Sequence, residues 1–230
     1  MTSLRIKLFF VLLFSCLVLI GSQINFSQVL GANNQFFTLF QFFGPIAGSI
    51  LGPIVGAGSV LLAEIANFLM VGKEVSLINL ARLAPMLVAA YYFGVSKRKD
   101  WSIIVPVFAM ALFMLHPVGS QAWMYALYWL IPIGVRVFAP NRLFFKSLGA
   151  TFMAHSVGSV IWLYALPSTP ELWLLLIPIV ALERCLFALG ISGSYLAINT
   201  LLHKLENRLP KGIIHINPKY DLTKMFSFKT

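Results

Sequence analysis

The chain has 230 residues, of which 59% are hydrophobic and 10% charged, with seventeen basic residues against seven acidic ones and a formal net charge of +10. With a mean hydropathy of +0.87, that composition excludes a soluble domain of this size, whose core could not hide so much apolar surface. Continuous apolar runs of about 17–25 residues, rather than alternating strands of about ten, exclude a β-barrel and leave an all-α, polytopic transmembrane helical bundle.

Eight spans are predicted, at 8–28, 35–51, 54–71, 77–95, 102–118, 120–138, 146–165 and 172–202, with a transmembrane domain over 1–202 and a basic tail over 203–230. In the first, Arg5 and Lys7 precede the apolar run Leu8–Ile20, a pattern shared with signal peptides. No small-residue cleavage pattern follows, so a retained helix is expected; cleavage would leave seven spans. Cys16 here and Cys185 in the last span have no paired framework and read as small buried hydrophobes.

The second and third spans carry Gly44, Gly48, Gly52 and Gly56 at four-residue intervals, with Gly-Pro-Ile written twice. Glycines at this spacing share a helix face and let a neighbouring backbone approach closely, so this face is expected to pack helices or dock a partner. A single helix over residues 35–71 would be about 55 Å long, far beyond a hydrocarbon core of about 30 Å. A turn is therefore predicted at Gly52-Pro53, with Pro45 kinking the first arm.

Ionisable groups at membrane depth are costly and mark interior or water-filled sites. On the third span Glu64 and Asn67 lie three residues apart, on one face; Asn79 and Arg82 repeat the spacing on the fourth. A Glu64–Arg82 contact would neutralise both, while as ligand contacts the arginine suits a carboxylate or phosphate and the glutamate an amine. The loop between the fifth and sixth spans reads His116-Pro-Val-Gly-Ser-Gln121-Ala-Trp123, placing polar groups near the mouth of the same cavity. Trp101, Trp123 and Trp173 read as interface anchors, and Trp129 and Trp162 as packing or belt residues.

The seventh span contributes His155 and a small-residue stripe, Ala150, Ala154 and Gly158; the eighth contributes Glu183 and Arg184, then Gly193 and Ala197 as a second such stripe. Adjacent helical residues point about 100° apart, so Glu183 and Arg184 are not expected to satisfy one another simply, and Glu183 is expected to meet Arg82 or His155. His116 and His155 lack the spacing of a metal site, and no metal or cofactor is expected. Gly190-Ile-Ser192-Gly193 resembles the nucleophile motif of rhomboid proteases, but His203 and His215 are the only downstream histidines and neither is within reach, so no enzyme is expected.

With the amino terminus cytoplasmic, both termini fall on one side. Fourteen of the seventeen basic residues are then inside: Arg5, Lys7, Lys97, Arg98, Lys99, Arg136, Arg142, Lys146, Lys204, Arg208, Lys211, Lys219, Lys224 and Lys229. Lys73 falls outside, with Arg82 and Arg184 in the membrane. The bias accounts for the charge without nucleic acid, and the tail is expected along anionic headgroups of the cell membrane. In this frame Glu64, His155 and Glu183 lie at mid-depth or somewhat outward, and the candidate small-molecule site opens outward. A structural or assembly subunit, whose polar residues satisfy only one another, is the alternative.

Residues 35–95, through Gly44-Pro45 and the Leu51-Gly52-Pro53-Ile-Val-Gly56 turn opening a small-residue-rich helix, resemble the substrate-binding S component of energy-coupling-factor vitamin transporters. The resemblance implies a helical bundle that captures a vitamin or metabolite from outside, partnered by a transmembrane coupling subunit and two cytoplasmic ATPases. The chain departs from that family in its eight predicted spans against the usual six, and in lacking an alanine-rich motif in Leu8–Ile20. It also lacks GxxxxGK[ST], so ATP would be hydrolysed only by the partners.

Overall fold

The computed structural model describes residues 3–28, 36–95, 100–208, 212 and 214–225. Lys97, Arg98, Lys99, Lys211 and Lys229 lie outside the described residues. The long helices are α1 (Ser3–Ser22), α2 (Phe40–Leu51), α3 (Pro53–Met70), α5 (Ala84–Gly94), α6 (Ile104–Leu115), α9 (Leu130–Phe138), α10 (Leu143–Ala165) and α11 (Pro170–Lys204). Short helices α4 (Leu77–Ala81), α7 (Pro117–Gln121), α8 (Trp123–Ala126) and α12 (Leu222–Met225) complete the helical set, and β1 (Asn25–Gln28) pairs antiparallel with β2 (Phe36–Thr38).

Each predicted apolar segment is largely helical among the described residues, but the eight are not equal. Among the described residues four helical segments are long and apolar enough to cross a membrane: Pro53–Met70, Leu77–Gly94, Leu143–Ala165 and Pro170–Lys204. Leu8–Ser22, Phe40–Leu51, Trp101–Leu115 and Trp123–Phe138 are shorter. Large apolar side chains such as Ile54, Leu69, Phe108, Leu115 and Leu182 cover the outside of the bundle, the surface a membrane protein presents to lipid.

The boundaries depart from expectation for local reasons. The first span stops at Ser22, where the polar run Ser22-Gln23 ends the helix and the chain turns into the β1–β2 hairpin, secured by Leu39 N–H donating to the Ile24 carbonyl at 2.9 Å. The fourth is broken between α4 and α5. Ser76 caps α4 by accepting from Asn79 N–H at 3.3 Å, and Pro85 sits in the first turn of α5, where its missing N–H costs nothing. The last helix is longer than predicted; its 35 residues span about 52 Å.

The expected turn is at Gly52, whose φ of 87° only glycine adopts freely and which delivers Pro53 to the first turn of α3. The glycine face is filled from within the chain. A Cβ on Gly48 would overlap the Ala90 carbonyl of α5, one on Gly56 would overlap the Ala47–Gly48 backbone, and one on Gly44 would come within 2.7 Å of Met86. Gly94 completes the contact from the α5 side, facing the Gly48 carbonyl and Pro53. This face packs α2, α3 and α5 together and is not open to a docking partner. Gly193 faces open space and Ala197 is exposed, so the predicted α11 stripe lies on the outer side of the helix.

Two core clusters result. One unites α1, α2, α3 and α5 with parts of α10 and α11, around Phe14, Ile46, Ile50, Phe93 and Tyr195. The other is aromatic, built on Phe113, Tyr125, Trp129, Phe152 and Trp173 from α6, α8, the turn after it, α10 and α11. Arg136 of α9 ties α9 to α5: it is 1% exposed, lies over the Tyr92 ring, and donates to the carbonyls of Val95 and Tyr92 at 2.7 and 2.9 Å. It thus caps the carboxyl end of α5 rather than facing the headgroups.

Residues 214–225 of the tail pack onto the bundle. Asn199 of α11 is fully buried; its amide donates to the carbonyls of Asn217 and Tyr220 and accepts from Asn217 N–H, all at 2.9–3.0 Å. His215 N–H donates to the Ile50 carbonyl at 2.7 Å, closing the end of α2 beside the Gly52 turn. Both cysteines are exposed on the outer surface rather than buried.

Candidate functional site

A cavity of about 560 Å³ lies at one end of the bundle, in the seam between the two core clusters. It is assembled from the carboxyl ends of α1, α3 and α10 and the amino ends of α2, α5 and α11, with β2 along one side. Of the predicted site residues, Glu64, Asn67, Arg82, His155 and Glu183 line it together. The tail is docked at the opposite end, on the carboxyl ends of α2 and α11.

The mouth is polar. Gln23, Lys73 and Arg82 line it with exposed side chains, and Asn67 reaches within 3.4 Å of Gln23. Glu64 has no hydrogen bond or ion pair among the described residues, so the expected Glu64–Arg82 pair is not formed. Arg82 instead donates to Asn79 at 3.4 Å. Asn79 lies outside the main cavity, in a recess of about 60 Å³ that shares Glu64, Asn67, Lys73 and Arg82 with it, and donates to the Glu74 carbonyl at 2.9 Å.

Further in, Arg184 donates to the adjacent Glu183 at 2.7 Å, against the expectation that the two would need other partners. The Cβ atoms do diverge, but both side chains are long enough to curl into the same cavity wall. The guanidinium, 3% exposed, also lies over the rings of Phe187 and Phe37 at 4.4 and 4.9 Å and donates to Thr151 at 3.4 Å. Because Phe37 belongs to β2, this contact clamps the hairpin to the cavity wall.

The buried end is aromatic, with Trp173 and Tyr125 each 2% exposed and Trp162 beside them. Trp173, expected at the membrane interface, is instead a wall of the cavity and donates to Ser168 at 3.0 Å. Trp101 and Trp123 are about half exposed, as interface anchors are. His155 sits beneath the wall. Its Nδ1 accepts from Trp129 Nε1–H at 3.2 Å, and its Nε2 lies 2.8 Å from the Tyr125 hydroxyl and 3.4 Å from that of Ser159.

His116 and Gln121 do not reach the cavity. His116 caps α7 by accepting from Val118 N–H at 3.3 Å, and Gln121 donates to the Pro117 carbonyl at 3.1 Å on the exposed surface. Ser192, the centre of the Gly-Ile-Ser-Gly sequence, donates to Ser147 at 2.9 Å across α10 and α11. No cluster of metal-ligating side chains occurs among the described residues. Sequence reasoning missed Tyr125, Ser159 and Lys73. Their signal was weak, since a lone tyrosine, serine or interfacial lysine is common in membrane helices; only Ser159, four residues from His155, could have been joined by spacing to the face of a predicted site residue.

The chain matches no known family model, no curated protein and no solved structure.

Proposed function

We propose that this protein is the membrane-embedded substrate-capture subunit of an ATP-driven uptake transporter, taking a small vitamin or metabolite from outside through the cavity at the end of the bundle. The observation that carries the reading is the cavity itself: about 560 Å³ with charged residues at the mouth and aromatic walls inside, the size and make-up of a small-molecule site. Charge supports its direction. Arg5, Arg142, Lys146, Lys204 and Lys219 gather at the end away from the cavity, which is the cytoplasmic end under the positive-inside rule. On this reading all eight apolar segments cross or enter the membrane, both termini are cytoplasmic, and a coupling subunit with its ATPases supplies the energy.

A second reading, a structural subunit without its own ligand, is favoured by one feature. Gly193 and Ala197 are unpacked on α11, where another membrane helix could approach. A thermal-shift screen of the detergent-purified chain against vitamins, amino acids and metal ions separates the two. Stabilisation by a compound is expected for capture. Stoichiometric copurification with a partner, with no compound stabilising the chain, would overturn capture in favour of the structural reading.

A further inference from the structure

The hydrogen bonds beneath the cavity have a direction. An indole N–H only donates, so the bond from Trp129 makes His155 Nδ1 an acceptor and puts the proton of the neutral ring on Nε2. Nε2–H then donates to the Tyr125 oxygen at 2.8 Å. Nε2 cannot also accept, so the Ser159 hydroxyl, 3.4 Å away, has no acceptor in the ring. His155 Nε2 is the contact of both the Tyr125 and the Ser159 hydroxyl, so with Nε2 protonated at least one hydroxyl proton is left over, and both residues line the cavity. The buried end is thus a donor that a ligand without an acceptor would leave unsatisfied.

Charge and shape add two constraints. The lining includes Glu64, Glu183, Lys73, Arg82 and Arg184. Arg184 and Glu183 neutralise one another, which leaves Lys73 and Arg82 against Glu64, and the formal charges of the lining favour one negative charge on a ligand at the mouth. Between mouth and buried end the walls are aromatic, from Phe37, Phe40, Trp162 and Trp173, surfaces against which a flat ring packs well.

We propose that the cavity binds a planar aromatic monoanion, with a ring acceptor received by Tyr125 and Ser159 and the negative charge held by Lys73 and Arg82. This rests on the capture reading above and narrows its substrate class. The test measures binding of three probes to the purified full chain by titration calorimetry: kynurenate, a bicyclic carboxylate with a carbonyl oxygen attached to its ring; 2-naphthoate, which lacks that oxygen and the ring nitrogen; and 2-(aminomethyl)naphthalene, a cation of similar shape.

Kynurenate is expected to bind about five- to tenfold more tightly than 2-naphthoate, the worth of one hydrogen bond, and the cation weakest. Tyr125→Phe, or Ser159→Ala if that variant does not fold, is expected to shrink the kynurenate advantage, and Arg82→Ala to weaken both anions. A preference for 2-naphthoate or the cation, an advantage that survives both hydroxyl variants, or no binding by any probe would overturn the proposal. An Nδ1–H tautomer of His155, read from its imidazole nitrogen shifts, would overturn the relay with no ligand present. The capture reading stands or falls separately, on the broad screen.

Discussion

Arg184 is nearly inaccessible, yet it serves four partners at once: the Glu183 carboxylate, the Thr151 hydroxyl and the faces of Phe37 and Phe187. A planar fork can pair edge-on and stack face-on together, which an ammonium cannot. Arg184→Lys is therefore expected to destabilise the folded chain, and Arg184→Met more so, by about 3 kcal/mol, because it leaves Glu183 part-buried without its partner. Thermal unfolding of the two variants, with Glu183→Gln/Arg184→Met as the double variant, measures this. The double variant is expected to recover part of the loss.

Individual polar residues were legible as a set and not as pairs. Cost at membrane depth singled out Glu64, Arg82, His116, His155, Glu183 and Arg184, and all of these but His116 line one cavity. Their partners were hidden, because pairing depends on rotamers and helix neighbours that spacing does not encode. Glu183 and Arg184 diverge at Cβ yet meet at their tips, while Asn79, only three residues away, takes the bond expected of Arg82 with Glu64. His116 was singled out on the same ground, but its ring is engaged as a helix cap.

At the scale of elements, the Gly52-Pro53 turn was readable because few residues tolerate a positive φ and fewer open a helix as proline does. The hairpin was not: β1 and β2 are short, and their aromatic residues read equally well as helix ends. Glycine spacing showed that a face packs closely without saying against what. The difference is measurable. Gly48→Ala is expected to cost upward of 3 kcal/mol, since its Cβ would meet the Ala90 backbone and α2 and α5 would have to separate. Gly193→Ala, which faces open space, is expected to be neutral or slightly stabilising through helix propensity. Equal effects on thermal unfolding would contradict the assignment of the two faces.

The tail belongs to the same scale. Asn199 holds it through three hydrogen bonds, so Asn199→Ala is expected to cost about 2–3 kcal/mol of docking free energy. Limited proteolysis provides the readout: the variant's tail is expected to be cut faster, with the helices left intact. Unchanged cleavage would mean that Ile214, Ile216 and Tyr220, which pack on the core, suffice to hold the segment.

For the whole molecule, composition alone was enough to identify a helical membrane protein, because no soluble core could bury its apolar fraction. The number of crossings was less legible: four helical segments have the length to span and four are shorter, and hydropathy does not distinguish a short span from a helix that enters without crossing. The two ends of the bundle differ in kind. One carries the docked tail and most of the described basic residues; the other carries the cavity.

The proposed capture function places the solute at the cavity end and the partners at the other. The most direct measurement is ligand-dependent thermal stabilisation of purified wild type beside Arg82→Ala and Glu64→Gln, which alter the cavity, and Gln121→Ala and His116→Gln, which lie outside it. Capture in the cavity is expected to give a stabilising compound whose apparent affinity falls at least tenfold in Arg82→Ala, changes in Glu64→Gln, and is unchanged in the second pair. Stabilisation that survives both cavity variants, or is lost in the outer pair while they remain folded, would contradict it.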